Sequence, residues 1–368
     1  MTAPDPPTDA QVHVALGDRS YDIAINRGGF LDIGPFLAER GDPQHLVVVT
    51  DTNVDPLYAD RLADRLTDNA IEVHVMVVDA GESSKAIDTA AELWEIMLEE
   101  GVDRQSAVLA VGGGVVGDLA GFVAATFARG LPFYQAPTSL LAQVDSSVGG
   151  KVGINLPGGK NMVGAFWQPR GVWIDVEVLR TLPDREYAAG LAEVVKYGVI
   201  LDADFFAFLE DNADAINARD AEAMQAIVAR CCRLKADVVE ADERESSGRR
   251  AILNYGHTFC HAIEAATGYT RVLHGEGVAI GMICASRLAT DLGMFTTADT
   301  DRQRELLSKF GLPTKCPGDL DGEELLRLMW RDKKVQDGRL RFILPRRIGE
   351  VELVDSPPSE AVLSSLAL

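Results

Sequence analysis

The run Ala107-Val108-Leu109-Ala110-Val111-Gly112-Gly113-Gly114-Val115-Val116-Gly117-Asp118 decides how this chain folds. Five apolar residues read as a buried strand, three glycines as a tight turn, and the residues beyond as a helix running to about Ala128. Gly112-x-Gly114-x-x-Gly117 has the spacing at which backbone approaches a pyrophosphate and a helix start offers unpaired N–H groups. Alone the pattern is weak, because a strand-to-helix turn without a ligand uses the same glycines. Asp118 in the first helical turn also reads as a favourable charge at a helix start. The turn lies in a later strand-helix unit than the first, and no acidic residue ends the next strand to hold a ribose. An ordinary Rossmann strand order is therefore not expected. Ribose or adenine contacts fall instead to Asp51, Asn53 or Glu82, at the ends of earlier strands.

Working outward, strand and helix patterns alternate. His45–Thr50 is a continuous apolar strand ending at Asp51-Thr52-Asn53, and Glu72–Val78 is a strand ending at Gly81-Glu82-Ser83-Ser84-Lys85. Helical patterns cover Val54–Asn69 and Ile87–Glu100, and Pro132–Ala136 is a further strand. Gln11–Leu16 and Tyr21–Asn26 alternate as a hairpin would. Residues 1–10 read as a disordered, Pro-rich lead. Near Leu182-Pro183-Asp184 the pattern changes. Long helical stretches follow at 185–200, 203–212, 221–240, 256–267, 275–292 and 301–310, with strand signals only at Leu340–Pro345 and Glu350–Val354. The expectation is an α/β N-terminal domain over 11–182, Rossmann-like with a mostly parallel sheet, and a mainly α-helical C-terminal domain over 183–368. An active site is expected in the cleft between them.

Composition narrows the function. Apolar residues are 47% of 368, enough for two cores, and the formal net charge is −21 with 56 acidic residues. A polyanion such as nucleic acid is not an expected partner. Any anionic substrate needs a local basic pocket. Five cysteines, at 231, 232, 260, 284 and 316, are odd in number and lack CxxC spacing, which fits reduced thiols in the cytoplasm. The N-terminus lacks the pattern of a signal peptide, and no apolar run approaches the roughly 20 residues of a membrane span.

Three of the six histidines fall between 257 and 274. If 255–266 is helical, His257 and His261 lie one turn apart on one face. Imidazole is the commonest zinc ligand, and a catalytic zinc takes three protein ligands. A histidine pair packed on a polar helix face fits the spacing equally well. Glu193 and Lys196, in the otherwise apolar Ala188–Val199, tilt the balance toward a His-His-Glu site. A polar, glycine-rich stretch, Pro137–Lys151 continuing to Asn161, places Lys151 and Lys160 each after a Gly-Gly pair and reads as a functional loop. With Lys196, Lys235, Arg250 and Lys333-Lys334, it offers many cations. Singly each reads as a solvated surface charge; together they suggest an anionic, hydroxylated substrate.

Gly112–Asp118, Val144–Lys151, Gly159-Lys160-Asn161, Ala192–Gly198, Asp242-Glu243-Arg244-Glu245, Leu253–His261 and His274-Gly275-Glu276 together resemble 3-dehydroquinate synthase. The motifs stand in family order and span residues 51 to about 345. The resemblance implies conversion of 3-deoxy-D-arabino-heptulosonate 7-phosphate to 3-dehydroquinate and phosphate in the shikimate pathway. It implies NAD, a divalent metal (zinc or cobalt) and a homodimer. The steps would be oxidation by NAD, phosphate elimination, reduction, ring opening and aldol closure.

Carried over to this chain, the metal ligands are Glu193, His257 and His274. His261 then handles protons and is not a ligand. Nucleotide positions are Asp51, Thr52, Asn53, Glu82, Ser83, Ser84, Lys85, Gly113, Gly114, Val115, Val116, Gly117, Asp118, Thr138, Ser139, Lys151, Lys160, Val178, Leu179, Arg180 and Thr181. The substrate pocket takes Asp145, Lys151, Lys160, Asn161, Lys196, Lys235, Arg250, Asn254 and His261. Arg129 would reach the neighbouring subunit's phosphate site, and one of Lys333 and Lys334 would contact phosphate. Lys151, Asn161, Glu245, Arg250 and His261 are the implied catalytic set.

One departure stands out. Four residues, not the family's three, separate Glu245 from Arg250, so Arg249 competes with Arg250 for the pocket; the spacing to Asn254 favours Arg250. Cys260, where glycine is common, is expected only to pack. Rival readings are a metal-dependent glycerol or alcohol dehydrogenase, another sugar-phosphate cyclase, and a non-catalytic nucleotide- or metal-binding regulator. A dehydrogenase has no need for the basic pocket.

Overall fold

The structure, a computed structural model, describes residues 9–330 and 340–366. In chain order the elements are β1 (Asp9–Val14), β2 (Tyr21–Asn26), α1 (Gly34–Glu39), β3 (His45–Asp51), α2 (Asp60–Asp68), β4 (Glu72–Val78), α3 (Ile87–Glu99), β5 (Ala107–Gly112), α4 (Gly114–Thr126), β6 (Phe133–Pro137), β7 (Lys151–Leu156), β8 (Gly159–Phe166) and β9 (Gly171–Asp175). There follow α5 (Asp184–Leu201), α6 (Ala203–Asp211), α7 (Ala213–Asn217), α8 (Ala221–Ala241), α9 (His257–Ala266), α10 (His274–Asp291), α11 (Thr297–Lys309), α12 (Gly322–Met329), β10 (Arg341–Arg347), β11 (Glu350–Asp355) and α13 (Ser359–Leu366).

Contacts divide the chain into two units. The first holds residues up to Leu182 together with Met224–Arg244; the second holds Pro183–Ala223 and the chain from Glu245 on. The sequence places 224–244 in the C-terminal half, but α8 packs with the first unit. Its side chains seek partners there: Gln225 donates to Ile25 O at 2.7 Å and Arg233 to His13 O at 2.6 Å.

The first unit is built on a seven-stranded sheet in the order β1-β2-β9-β6-β5-β3-β4. Only the β1–β2 pair is antiparallel. The hairpin strand begins at Asp9, two residues before the expected Gln11. Alternate residues of β3 feed opposite cores. Val47 and Val49 pack with residues of α3 and α4, while Leu46 and Val48 pack with residues of α1 and α2. That is why β3, β5 and β6 read as unbroken apolar runs. Burying each such side chain contributes roughly 1.5–3 kcal/mol.

Two features escape the sequence reading. The expected loop through 161 holds the antiparallel β7–β8 hairpin. β9, with the sequence Gly171-Val-Trp-Ile-Asp, is an unpredicted parallel strand. Among its described residues the only strands of the second unit are those of the β10–β11 hairpin. Among the described residues no helix is long and apolar enough to cross a membrane.

None of the five cysteines is in a disulfide, and all but Cys316 are buried. Burial pushes the Cys232 thiol up to about 12, and the thiol donates to Gln143 O at 3.2 Å. Thiolate is the reactive form. At pH 8 a disulfide-exchange reagent should therefore label one thiol in the native chain, Cys316, and all five after unfolding. Rapid native labelling of Cys232 would contradict this packing.

Candidate active site

Three residues of the second unit converge. Glu193 lies within α5, His257 opens α9 and His274 opens α10. One ligand-type atom from each lies within 4.8 Å of the others. Close backbone approach makes this possible. A Cβ at Gly275 would lie 1.9 Å from Ala189 O, one helical turn before Glu193. A Cβ at Gly281 would lie 2.1 Å from Gly256 O, and Gly256 itself takes φ +78° just before His257. Only glycine serves at such positions.

Hydrogen bonding orients both rings. His257 Nδ1 lies 3.0 Å from Tyr255 O. A carbonyl only accepts, so Nδ1 carries the proton and Nε2 turns a lone pair toward Glu193 Oε1, 3.6 Å away. His274 Nδ1 faces Glu264 Oε1 at 3.4 Å, and its Nε2 is 3.8 Å from Glu193 Oε1. Tetrahedral zinc at its usual bond lengths holds donors about 3.4 Å apart, so these separations suit such an ion. Histidine ligands backed by a carbonyl or carboxylate are the usual arrangement at metal sites. Burial opposes a charge on His274, but Cys260 and Glu264 outweigh it and hold the ring well above the usual imidazole range.

Lys196 Nζ pairs with Glu193 Oε2, and both side chains are buried. Glu264 is buried too. A metal that displaced the His274 proton would meet two buried carboxylates against one ammonium, a favourable setting for a cation. Glu264 was missed by the sequence reading, although it lies seven residues after His257, on the same helical face. Cys260 does more than pack: its Sγ lies 3.8 Å from His274 Nδ1. His261 stands beside His257, ring centroids 5.8 Å apart, outside the triad.

Arg250 and Arg249 separate clearly. Arg250 is 2% exposed, with Nε 3.8 Å from Glu245 Oε1, while Arg249 is exposed. Both lie on a 3₁₀ turn, Arg249–Asn254. With three residues per turn, Arg250 and Asn254 do not eclipse as they would in an α-helix. Burial, not the four-residue spacing, distinguishes Arg250.

In the first unit the expected nucleotide residues collect at one sheet edge. Asp51-Thr52-Asn53, Glu82–Lys85, Gly113–Asp118, Thr138-Ser139 and Val178–Thr181 follow β3, β4, β5, β6 and β9 at or just beyond their C-terminal ends. Chain order reverses between β3 and β5, so the glycine turn and Asp51 flank a topological switch point, where open α/β sheets place ligands. A Cβ on Gly117 would meet Gln135 Oε1 at 2.9 Å, so this glycine lets α4 lie close on β6. Asp118 Oδ2 is 2.5 Å from the buried Lys85 Nζ. Burial raises the Asp118 carboxyl and Lys85 opposes the shift. Glu82 Oε1 accepts from Asn155 Nδ2 at 2.7 Å. Asp51 Oδ1 accepts from the Asn53 and Val54 N–H groups at 2.9 and 3.1 Å, and Thr181 Oγ1 lies 2.7 Å from Tyr58 Oη.

Expected substrate residues of this unit sit on the turn after β6, on the β7–β8 hairpin and on α8. Lys235 Nζ donates to Asp145 O at 2.7 Å and lies 3.1 Å from Asp145 Oδ1. Lys151 opens β7 and is exposed; Lys160 and Asn161 are in β8, Asn161 with φ +55°. Arg129 is exposed at φ +71°. Lys333 and Lys334 lie outside the described residues.

Known proteins resemble this chain over nearly its whole length. The family profile described as 3-dehydroquinate synthase N-terminal matches residues 75–189, and that described as 3-dehydroquinate synthase C-terminal matches residues 190–335. A relative named 3-dehydroquinate synthase, from Rhodopirellula baltica, is 50% identical over 361 residues, 96% of either chain. Among solved structures, 2-epi-5-epi-valiolone synthase from Streptomyces hygroscopicus, with NAD⁺ and Zn²⁺ bound, is 30% identical at a TM-score of 0.87, covering 96% of this chain and 97% of that one. A 2-deoxy-scyllo-inosose synthase complexed with carbaglucose-6-phosphate, NAD⁺ and Co²⁺ is 27% identical at a TM-score of 0.88, covering 96% and 100%. Two adjoining profiles, and a half-identical relative aligned over nearly its whole length, establish that this chain belongs to the 3-dehydroquinate synthase family.

Proposed function

We propose that this chain is a 3-dehydroquinate synthase, a phosphorus–oxygen lyase that converts 3-deoxy-D-arabino-heptulosonate 7-phosphate to 3-dehydroquinate and phosphate. The observation that carries the reading is the buried Glu193 facing Nε2 of both His257 and His274, with the buried cations Lys196 and Arg250 in the same unit. In this reading Glu193, His257 and His274 hold a divalent metal, zinc or cobalt, and the edge from Asp51 to Thr181 holds NAD. When bound, NAD supplies reversible hydride acceptance and the metal supplies Lewis-acid polarisation of the reacting hydroxyl.

The chain's own groups do the rest. Gly114 and Val115, opening α4, present unpaired N–H groups to a pyrophosphate. Lys151, Lys160, Lys196, Lys235 and Arg250 neutralise the substrate's phosphate and carboxylate, lysine as a point charge and arginine through its planar fork. Asn161 and Asn254 hydrogen-bond its hydroxyls, and Asp145 orients Lys235. His261, beside His257, accepts or returns a proton as the ring opens and closes. Glu245 holds Arg250 in place. The enzyme is proposed to be a cytoplasmic homodimer, with Arg129 reaching its partner's phosphate; the unbridged thiols support the compartment. The substrate is a small anion, not a nucleic acid. A second reading, a cyclase acting on a sugar phosphate without a carboxylate, draws on the likeness to the inosose and valiolone synthases. The buried Arg250 weighs against it.

Phosphate release from the heptulosonate phosphate tests the reading. One phosphate per substrate and no net NADH are expected. Release from glucose 6-phosphate only would favour the second reading, and net NADH from a simple alcohol would overturn both. His274→Ala should abolish release.

The arginine pair gives a sharper test. Removing a cation that pairs with a buried anion costs roughly 2–5 kcal/mol. Arg250→Ala should therefore lower kcat/KM by about 30-fold or more. Arg249→Ala should change it by less than about threefold, as surface substitutions do. The reverse result would assign the pocket to Arg249.

A further inference from the structure

The glycine turn lies at the C-terminal edge of the parallel sheet. At the opposite edge stands a cluster that plays no part in the proposed reaction. We propose that His45, Glu72 and His74 form a second metal site, for a divalent cation of the zinc class. His45 is the first residue of β3 and Glu72 the first of β4; the parallel register sets His45 beside Glu72 and Val47 beside His74. Residues two apart on a strand share a face, as do registered neighbours. All three side chains therefore leave the sheet on the same side. One ligand-type atom from each lies within 4.8 Å of the others, and the two imidazole centroids are 5.0 Å apart.

The hydrogen bonds behind the rings select the ligand. Ser106 Oγ lies 3.2 Å from Asp103 Oδ1 and 3.0 Å from His45 Nδ1. The carboxylate only accepts, so the hydroxyl donates to Asp103 and accepts from His45 Nδ1–H. His74 Nδ1 faces Glu100 Oε2 at 3.1 Å, and a carboxylate there favours the tautomer with the proton on Nδ1. Both Nε2 atoms then carry lone pairs. Both are buried without a hydrogen-bond partner, and that of His74 is 3.6 Å from Glu72 Oε1. Two unsatisfied acceptors buried side by side are unfavourable in a protein interior, and a cation satisfies both together. The carboxylate behind His74, and the serine-linked one behind His45, supply the outer support that histidine ligands use.

Paired imidazoles with one carboxylate select zinc-class ions over magnesium or calcium. Glu72 is 69% exposed at its side chain, free to swing the short way that tetrahedral bonding requires, and solvent supplies a fourth ligand. Such an ion ties the edge strand β4 to β3. Through Glu100 and Ser106 it also ties in the residues that follow α3 and precede β5.

The test uses the full-length chain, stripped of metal with a chelator and titrated with zinc. Wild type should bind two equivalents. His74→Gln should bind one and release phosphate at the wild-type rate; His274→Ala should bind one and release none. Zinc should raise the melting temperature of His274→Ala, and adding His74→Gln should remove that rise. Glu100→Gln changes only the group behind His74 and leaves the fold's core untouched. It should weaken the edge site about 10- to 100-fold. Equal zinc stoichiometry in wild type and His74→Gln, or unaltered edge-site affinity in Glu100→Gln, would overturn the proposal.

Discussion

The closeness with which α10 meets α5 and α9 governs the reactive half of the molecule. Helix axes usually stand 8–10 Å apart, held off by their side chains. Here glycine takes the contact positions: Gly275 lies against Ala189 O and Gly281 against Gly256 O. Three helices can then deliver one short-reaching residue each to a single point. A side chain at either glycine would force the helices apart and draw the imidazoles away from Glu193. The closeness also excludes water from Glu193, which is 1% exposed. A buried carboxylate without compensation costs several kcal/mol, so the same helix supplies Lys196, one turn on. Glycine packing, acid and lysine form one physical unit.

Strand order does comparable work in the first unit. The proposed nucleotide positions are scattered over more than a hundred residues of sequence, from Asp51 to Thr181. They gather because each follows a parallel strand, and parallel strands end on the same edge. The reversal between β3 and β5 opens that edge where the glycine turn begins. The odd position of the turn, in a later strand-helix unit, follows from this order.

Much of this was legible in advance, and the gaps have physical causes. β3, β5 and β6 are buried on both faces, so their apolar runs stand out. The β7–β8 hairpin did not, because its glycines and polar residues mimic a loop; β8 buries none of its residues fully. β9 is five residues long and its signal is one Val-Trp-Ile run. The three residues that converge as the candidate metal triad were readable from chemistry and resemblance. Their supports Glu264 and Cys260 were not sought, since supporting groups have no motif of their own. Arg249 and Arg250 are indistinguishable in sequence, and only burial separates them. α8 reads simply as another helix of the helical half, because amphipathic periodicity says which face is buried but not against what.

That last point bears on synthesis. The first unit is discontinuous: Gln225, Cys232, Arg233 and Lys235 of α8 bond to Ile25, Gln143, His13 and Asp145. A chain emerging from the ribosome completes its sheet by Leu182 but must wait about sixty residues more for the helix that belongs on it. At roughly 5–20 residues per second that is about 3–12 s. Throughout that interval the nascent sheet presents bare apolar surface and unpaired carbonyls, the sort of surface that chaperones bind. A fragment cut at the apparent domain boundary would carry the same defect permanently.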